Sequence, residues 1–528
     1  MRGAMSVQAA TPSHCPEDSG EAVATSEKNS YGQIIKSSAL VGASSAIGIC
    51  LGIVRAKIVA VMLGPAGTGL MGLYGSAVDV VQGVAGMGVG SSGVRQIAQA
   101  LGSGDDERIA RTALLVRRTS IVLGLLGAGL LLLAAKPASH LTFGSDTHAV
   151  SMALLSIAVL FRVASAGEAA LLQGTRRIVD LAKTAVWAAL FGTVATVCLV
   201  YVLGENGVVA SLVATTGIAL VATWWYARRV LVAAPATPAS AQTGEVRQLL
   251  QLGFAFMVTG LAMTGASWLI RVIVLRQIGF EAAGLYQSAW TIGGVYVGFI
   301  LGAMGTDFYP RLTAKADHDS ECNRLLNEQV LVGLLMAAPG ILATLTFTPL
   351  VISVLYTSEF DAAVGALRWI SLGMGLRVIT WPLGFIVVAR GLQTLFIGVD
   401  LACALVHVGL AWLGIRFFGL DGAGMAFFGL YVFHAALIYP IARSLSGFRW
   451  SPENRRTIAG FVAVTVLVFL GVHLLSAPAA TALGTAACAL TGVYSVRVLA
   501  TLAPQGRGPV AVRRLLGRLR LAPRGAHG

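Results

Sequence analysis

Charge is what this 528-residue chain has least of. Asp, Glu, Lys and Arg together make only 12% of it, about half their share in ordinary soluble domains. With a mean hydropathy of +0.77, that scarcity excludes a soluble globular protein. Cysteine is scarce too. Cys15, Cys50, Cys198, Cys322, Cys403 and Cys488 are scattered, without a Cys-x-x-Cys pair. Neither a disulfide framework nor a zinc site is indicated, and no metal or other cofactor is expected. Regular polar–apolar alternation, the signature of transmembrane barrel strands, is missing. Residues 1–30 lack the apolar centre of a secretory signal peptide, so the first apolar run is expected to direct membrane insertion itself.

What fills the chain instead is long apolar runs. Hydrophobic residues make up 56% of it, and about fourteen stretches are long enough to cross a hydrocarbon core about 30 Å thick. They include 37–63, 67–92, 206–227, 325–355, 364–389 and 420–446. The fold class read from this pattern is all-α, a polytopic membrane protein of about 14 transmembrane helices. The segments read as a polar cytoplasmic tail (1–31), a six-helix bundle (32–230) and a cytoplasmic linker (231–246). A second six-helix bundle (247–446), an additional helix pair (447–502) and a basic cytoplasmic tail (503–528) follow.

The net charge of +14 raises the question of nucleic acid, but its distribution answers for a membrane. With the N-terminus placed in the cytoplasm, 29 of the 38 Lys and Arg residues fall on the cytoplasmic side, and 3 fall outside, namely Lys136, Arg276 and Arg416. That asymmetry predicts an N-in, C-in orientation. Between Arg497 and Arg524 stand seven arginines and no acid, which suits anionic lipid at the inner leaflet. No nucleic-acid partner is expected.

The chain also repeats itself. Gly72-Leu73-Tyr74-Gly75-Ser76-Ala77 recurs as Gly284-Leu285-Tyr286-Gln287-Ser288-Ala289, five identities in six at an offset of 212. Gly204-Glu205-Asn206-Gly207-Val208 is echoed by Gly419-Leu420-Asp421-Gly422-Ala423. An even number of spans separates the copies, so the halves run parallel. Such halves are related by an axis along the membrane normal, with a substrate cavity between them.

Within the spans, six cations stand against about three acids. Arg55 and Arg271 occupy matching mid-span positions in the two halves. A guanidinium at that depth costs about 2.5 kcal/mol or more, and survives where it faces a protein interior or a watery path and meets an anion. Arg forks bind phosphate oxygens in bidentate fashion, so Arg55 and Arg271 lead the candidates for an anionic substrate. Arg162 and Arg377, in corresponding helices, are second-rank cavity candidates. Lys57 lies about 200° around the helix from Arg55; it either joins the cavity or snorkels and pairs elsewhere. Arg368 reads as interfacial. Asp79, Glu168 and Asp400 are the acids set furthest inside spans. They pair with the arginines, or Asp79 and Glu168 serve as proton or sodium coupling sites. His407, His434 and His473 read as helix-packing residues.

At these residues a family comes into view. The run from Arg55-Ala56-Lys57 through Met62-Leu63-Gly64-Pro65 to Thr68-Gly69-Leu70, with the Gly-Leu-Tyr continuation, resembles the first span and turn of Wzx-type O-antigen flippases. The Gly419-Leu420-Asp421-Gly422-Ala423-Gly424-Met425-Ala426 turn is similar to that family as well. These flippases belong to the multidrug/oligosaccharidyl-lipid/polysaccharide exporter superfamily, and the resemblance covers residues 32–446. It implies a transporter, not an enzyme, in the bacterial inner membrane. Such a transporter flips an undecaprenyl-pyrophosphate-linked oligosaccharide, for O-antigen or a related surface polysaccharide, to the outer leaflet. It further implies polysaccharide assembly proteins as partners.

Two other classes compete. A membrane glycan polymerase or glycosyltransferase needs catalytic groups on a sizeable external surface, and the longest external loop, about 136–148, carries Asp146 alone. A drug/cation antiporter calls for an acidic or aromatic cavity, whereas the deep excess of charge here is basic.

Overall fold

The computed structural model describes residues 19–102, 106–230 and 243–502, and every described element is helical. The first helix, α1 (Ser19–Ala85), is broken at Gly64, whose φ of 62° is left-handed and is followed by Pro65 inside the helix. Only glycine adopts that φ cheaply, and the proline removes a helical donor, so the chain bends here. The bend is required. Gly42–Ala85 alone is 44 residues, about 66 Å of helix, against a membrane core of about 30 Å.

Then follow α2 (Val89–Gly102), α3 (Asp106–Leu133), α4 (Ala135–Phe143), α5 (Ala149–Gly174), α6 (Ile178–Leu203) and α7 (Asn206–Ala227). The second half comprises α8 (Thr243–Gln277), α9 (Phe280–Thr313), α10 (Asp319–Thr346), α11 (Thr348–Leu355), α12 (Val364–Ala389), α13 (Gln393–Phe418) and α14 (Leu420–Ser446). The final pair is α15 (Pro452–Leu474) and α16 (Ala477–Leu502). Among the described residues eleven helices are long and apolar enough to cross a membrane. The break in α1 makes two crossings of one, and α8 and α9, at 35 and 34 residues, supply one each. Fourteen crossings result, the expected number.

Three boundaries differ from expectation. The run 325–355 is two helices, because the chain leaves helical geometry at Phe347 before α11 starts at Thr348, with Pro349 in its first turn. The segment 136–148 is not a loop but the short α4 followed by a single 3-10 turn. Span 67–92 stops at Ala85, and α2 turns off beyond it. In addition, α1 starts at Ser19, within the segment read as a polar tail. Most of the linker (231–242) and the basic tail (503–528) lie outside the described residues.

The repeat is written in the backbone. Gly204 and Gly419 end α6 and α13 with φ 58° in both and ψ of −133° and −138°. Arg177 and Leu392 precede the same two helices with φ/ψ of −78°/60° and −79°/63°. The bundles α1–α7 and α8–α14 meet mainly where α1 packs on α8 and α9. At the face carrying the α1 bend, hereafter the bend face, Gly69 and Gly284 bring the two backbones together. A Cβ on Gly69 would stand 2.6 Å from the Gly284 nitrogen. The additional pair α15–α16 packs on α10.

Two cations clasp the bundles at the bend face. Lys57, from α1, donates to the carbonyls of Val354 (2.9 Å), Ser353 (3.4 Å) and Tyr356, at the C-terminal end of α11. Arg276, from α8, donates to the carbonyls of His140 (2.5 Å), Leu141 (2.8 Å) and Thr142 (3.4 Å), at the end of α4. Each bundle thus holds the short helix of the other. Helix C-termini have unpaired carbonyls and a negative dipole end, which is what a cation satisfies.

Candidate functional site

The two leading arginines are held differently. Arg271, 7% exposed, donates from Nε to Gln287 Oε1 (2.8 Å), and from Nη1 to the Ser267 carbonyl (2.9 Å) and hydroxyl (2.5 Å). Its guanidinium lies 5.9 Å from the Tyr286 ring. All these partners are neutral, so the group is oriented but its charge is not cancelled. Arg55 is half-buried and makes no hydrogen bond or ion pair among the described residues. Lys57, the third candidate on the first helices, is occupied by the α11 carbonyls.

Arg162 and Arg377 stand 215 residues apart, the spacing of the Gly204 and Gly419 turns, and therefore at equivalent positions of α5 and α12. Their surroundings have diverged. Arg162 is ion-paired with Asp79 of α1. At the position corresponding to Asp79 the second half has Thr291, whose hydroxyl bonds instead with Gln287. Arg377 is left with a distant contact from Nη1 to Met374 Sδ (4.0 Å), and its Nε is buried without a partner.

A second pair stands in the first half. Arg117 of α3 holds Glu168 of α5 in a bidentate bridge, Nε to Oε1 at 2.5 Å and Nη2 to Oε2 at 2.7 Å. The Glu168 side chain is only 6% exposed. Sequence reading singled out Glu168 but missed Arg117, which stands near an end of its span. Only the fold reveals that it turns inward. At equivalent places the second half has Val330 and Leu383, both buried.

Two cavities result. The first, about 380 Å³, lies between the first bundle and α8 and is lined by Asp79, Gln82, Ser91, Ser120, Arg162 and Thr264. The second, about 480 Å³, lies inside the second bundle. Arg377, Asp400, His407 and His434 reach it, and Trp290, Trp381, Phe385 and Tyr431 wall it. Thr264 lines both, so α8 is the partition between them. Asp400 has no hydrogen bond or ion pair among the described residues. His434 Nδ1 is hydrogen-bonded to Thr380 Oγ1 (2.9 Å), and the Nε2 of His407 is buried without a partner. Both histidines therefore line a cavity, where packing alone was expected; His473 bonds its own helix at Phe469. Among the described residues no cluster of His, Cys, Asp and Glu is suited to a metal ion.

With this geometry in view, a family model described as "Polysaccharide biosynthesis protein" matches residues 58–365. The chain is 24% identical over 417 residues to the lipid III flippase of Escherichia coli (strain K12), covering 76% of this chain and 97% of that protein. Among solved structures, the lipid II flippase MurJ in an inward closed conformation superposes with a TM-score of 0.66 at 11% identity, over 88% of this chain and 99% of its own. An inward-facing multidrug resistance MATE transporter of the MOP superfamily gives 0.59 at 18% identity, over 76% and 95%. The exporter fold expected from the first span and turn is the fold found.

Proposed function

Because the chain belongs to the polysaccharide biosynthesis protein family, we propose that this membrane transporter flips an undecaprenyl-pyrophosphate-linked oligosaccharide repeat unit from the cytoplasmic to the outer leaflet. The orientation is N-in and C-in, which makes the bend face external. The two bundles rock about the substrate, opening first to one side and then to the other. The relative named lipid III flippase supports a lipid-linked glycan as the cargo.

The observation that carries the reading is an uncancelled positive charge at membrane depth. Arg55, Arg271 and Arg377 have no carboxylate within ion-pair distance among the described residues. A charge so placed is costly until an anion arrives. Pyrophosphate, whose oxygens fit guanidinium forks, is the anion this family's chemistry supplies. Arg55 and Arg271 hold it, and Arg162 joins by exchanging Asp79 for a phosphate oxygen. Asp79 is then released to take a proton or a cation, which couples substrate entry to a change in its charge. Glu168, locked by Arg117, stays structural unless that bridge opens. Lys57 takes part through closure of the bend face.

The test is reconstitution in proteoliposomes with a polyprenyl-pyrophosphate-linked oligosaccharide, following its arrival on the opposite leaflet. Arg55→Ala or Arg271→Ala should each slow flipping by about 10- to 100-fold, the worth of one charge-assisted hydrogen bond. Arg→Lys, which keeps charge and loses the fork, should retain part of the rate. A normally inserted double alanine variant that still flips at the native rate would refute the assignment.

A further inference from the structure

We propose that the cavity inside the second bundle is a saccharide subsite, which takes the sugar ring joined directly to the pyrophosphate. This deepens the reading above and rests on it for the identity of the cargo.

The argument starts from two charges that do not meet. Arg377 and Asp400 line one cavity, yet no ion pair joins them and neither has another ionic partner among the described residues. A cationic ligand would be opposed by Arg377 and an anionic one by Asp400. The ligand that suits both is neutral and rich in groups that donate and accept at once. A hydroxyl does this: it gives its proton to the Asp400 carboxylate and offers its lone pairs to Arg377. Hydrogen bonds to charged groups are the strong ones. The buried and unpartnered Nε of Arg377 and Nε2 of His407 extend the set of polar atoms that a polyol would satisfy. His407 is only 6% exposed, so water does not do this for it at no cost.

The walls complete the description. A pyranose has a rim of hydroxyls and a face of C–H groups, and that face packs on aromatic rings. Trp381 stands edge-on to Phe385 at 4.6 Å between centroids, and Trp290 edge-on to Phe427 at 5.1 Å. All four line the cavity. Mostly apolar walls with a few convergent polar groups, in a volume of about 300–1,000 Å³, are the mark of a small-molecule site, and this cavity holds about 480 Å³. An alkyl or prenyl tail would leave Arg377 and Asp400 without partners.

Location selects which sugar. Ser267 lines the cavity and takes a hydrogen bond from Arg271, and Tyr286 lines it beneath the same guanidinium. A phosphate held at Arg271 therefore stands at the cavity's edge, and the ring attached to it is the one within reach.

The test uses the full-length protein in lipid nanodiscs, with intrinsic tryptophan fluorescence and calorimetry as readouts. The probes are citronellyl pyrophosphate, bare or carrying glucose, galactose or N-acetylglucosamine at C1. At least one sugar-bearing probe should bind about tenfold tighter than the bare one, a difference of about 1.4 kcal/mol. Asp400→Asn, which is isosteric, and Trp381→Leu should each bring that ratio to within about twofold while leaving the bare probe's Kd unchanged. Arg271→Ala should weaken both probes and keep the ratio. A ratio near one for all three sugars, or one that survives both cavity substitutions, overturns the subsite. So does tighter, Asp400-dependent binding of the cationic dye ethidium. If the bare probe does not bind but a methyl glycoside does so in an Asp400-dependent way, the subsite stands and the pyrophosphate assignment falls.

Discussion

Removing Lys57 and Arg276 together should open the bend face. Each spans the two bundles and ends on three carbonyls at a helix C-terminus. Hydrogen bonds to charged groups contribute about 1.5–3 kcal/mol when shielded. Several of these bonds are exposed, so each clasp is discounted to about 1 kcal/mol for solvent screening. Losing both costs the closed arrangement about 2 kcal/mol, which shifts the closed-to-open ratio by about 30-fold. Lys57→Met and Arg276→Met keep most of the stem packing while deleting the charge. Spin labels at Thr147 and Asp361, both exposed and on opposite bundles, would report the change in a background freed of native cysteines. A new population at longer distance is expected in the double variant, with each single variant between it and the parent. The same distance distribution in parent and double variant would show that the glycine contacts of α1 and α9 hold the face shut unaided, and the clasp reasoning would fall.

Two further substitutions probe the divergence of the halves. Glu168→Gln removes the ionic partner of Arg117, whose side chain is 38% exposed, so after discounting for solvent screening it should lower stability by about 1 kcal/mol, read as a reduced thermal midpoint in detergent. Arg117→Val with Glu168→Leu, which copies Val330 and Leu383, should recover most of that loss, and a double variant no better than Glu168→Gln would contradict it. Thr291→Asp gives Arg377 the counter-ion that Asp79 gives Arg162. It should slow flipping about tenfold by occupying the guanidinium, and an unchanged rate in proteoliposomes would mean that Arg377 never meets the substrate.

The crossings were legible because a bilayer leaves a helix few choices: backbone groups in hydrocarbon must bond within their own segment. Residues 206–227, 364–389 and 420–446 end where the expected spans end. What stayed hidden was apolar chain that changes direction. Phe347 interrupts 325–355 without any change of polarity, and α4 reads as loop because Lys136 and His140 give it a polar surface. For the site, single charges could be ranked by depth, but partners could not be assigned. Arg117 and Glu168 are 51 residues apart and Arg162 and Asp79 are 83, and only packing decides which of them meet. Arg276 looked like one more external cation because nothing in its sequence neighbourhood names the α4 carbonyls. The aromatic cavity eluded reading altogether, since Trp290, Trp381 and Phe427 come from three helices with no shared motif.

The paired charges of the first half also have an order in time. During synthesis Asp79 precedes Arg162 and Arg117 precedes Glu168, so each ionic pair is completed by a helix arriving to meet a charge already made. When α12 emerges, the place where a carboxylate would await Arg377 is held by Thr291. Handing that helix to lipid therefore costs about 2.5 kcal/mol or more, and Asp400 appears only with the next helix. Until then α12 is best sheltered against α9 and α10, with which it packs in the finished fold. The position of one threonine thus bears on how the newborn chain is threaded into the membrane, well before any cargo is moved.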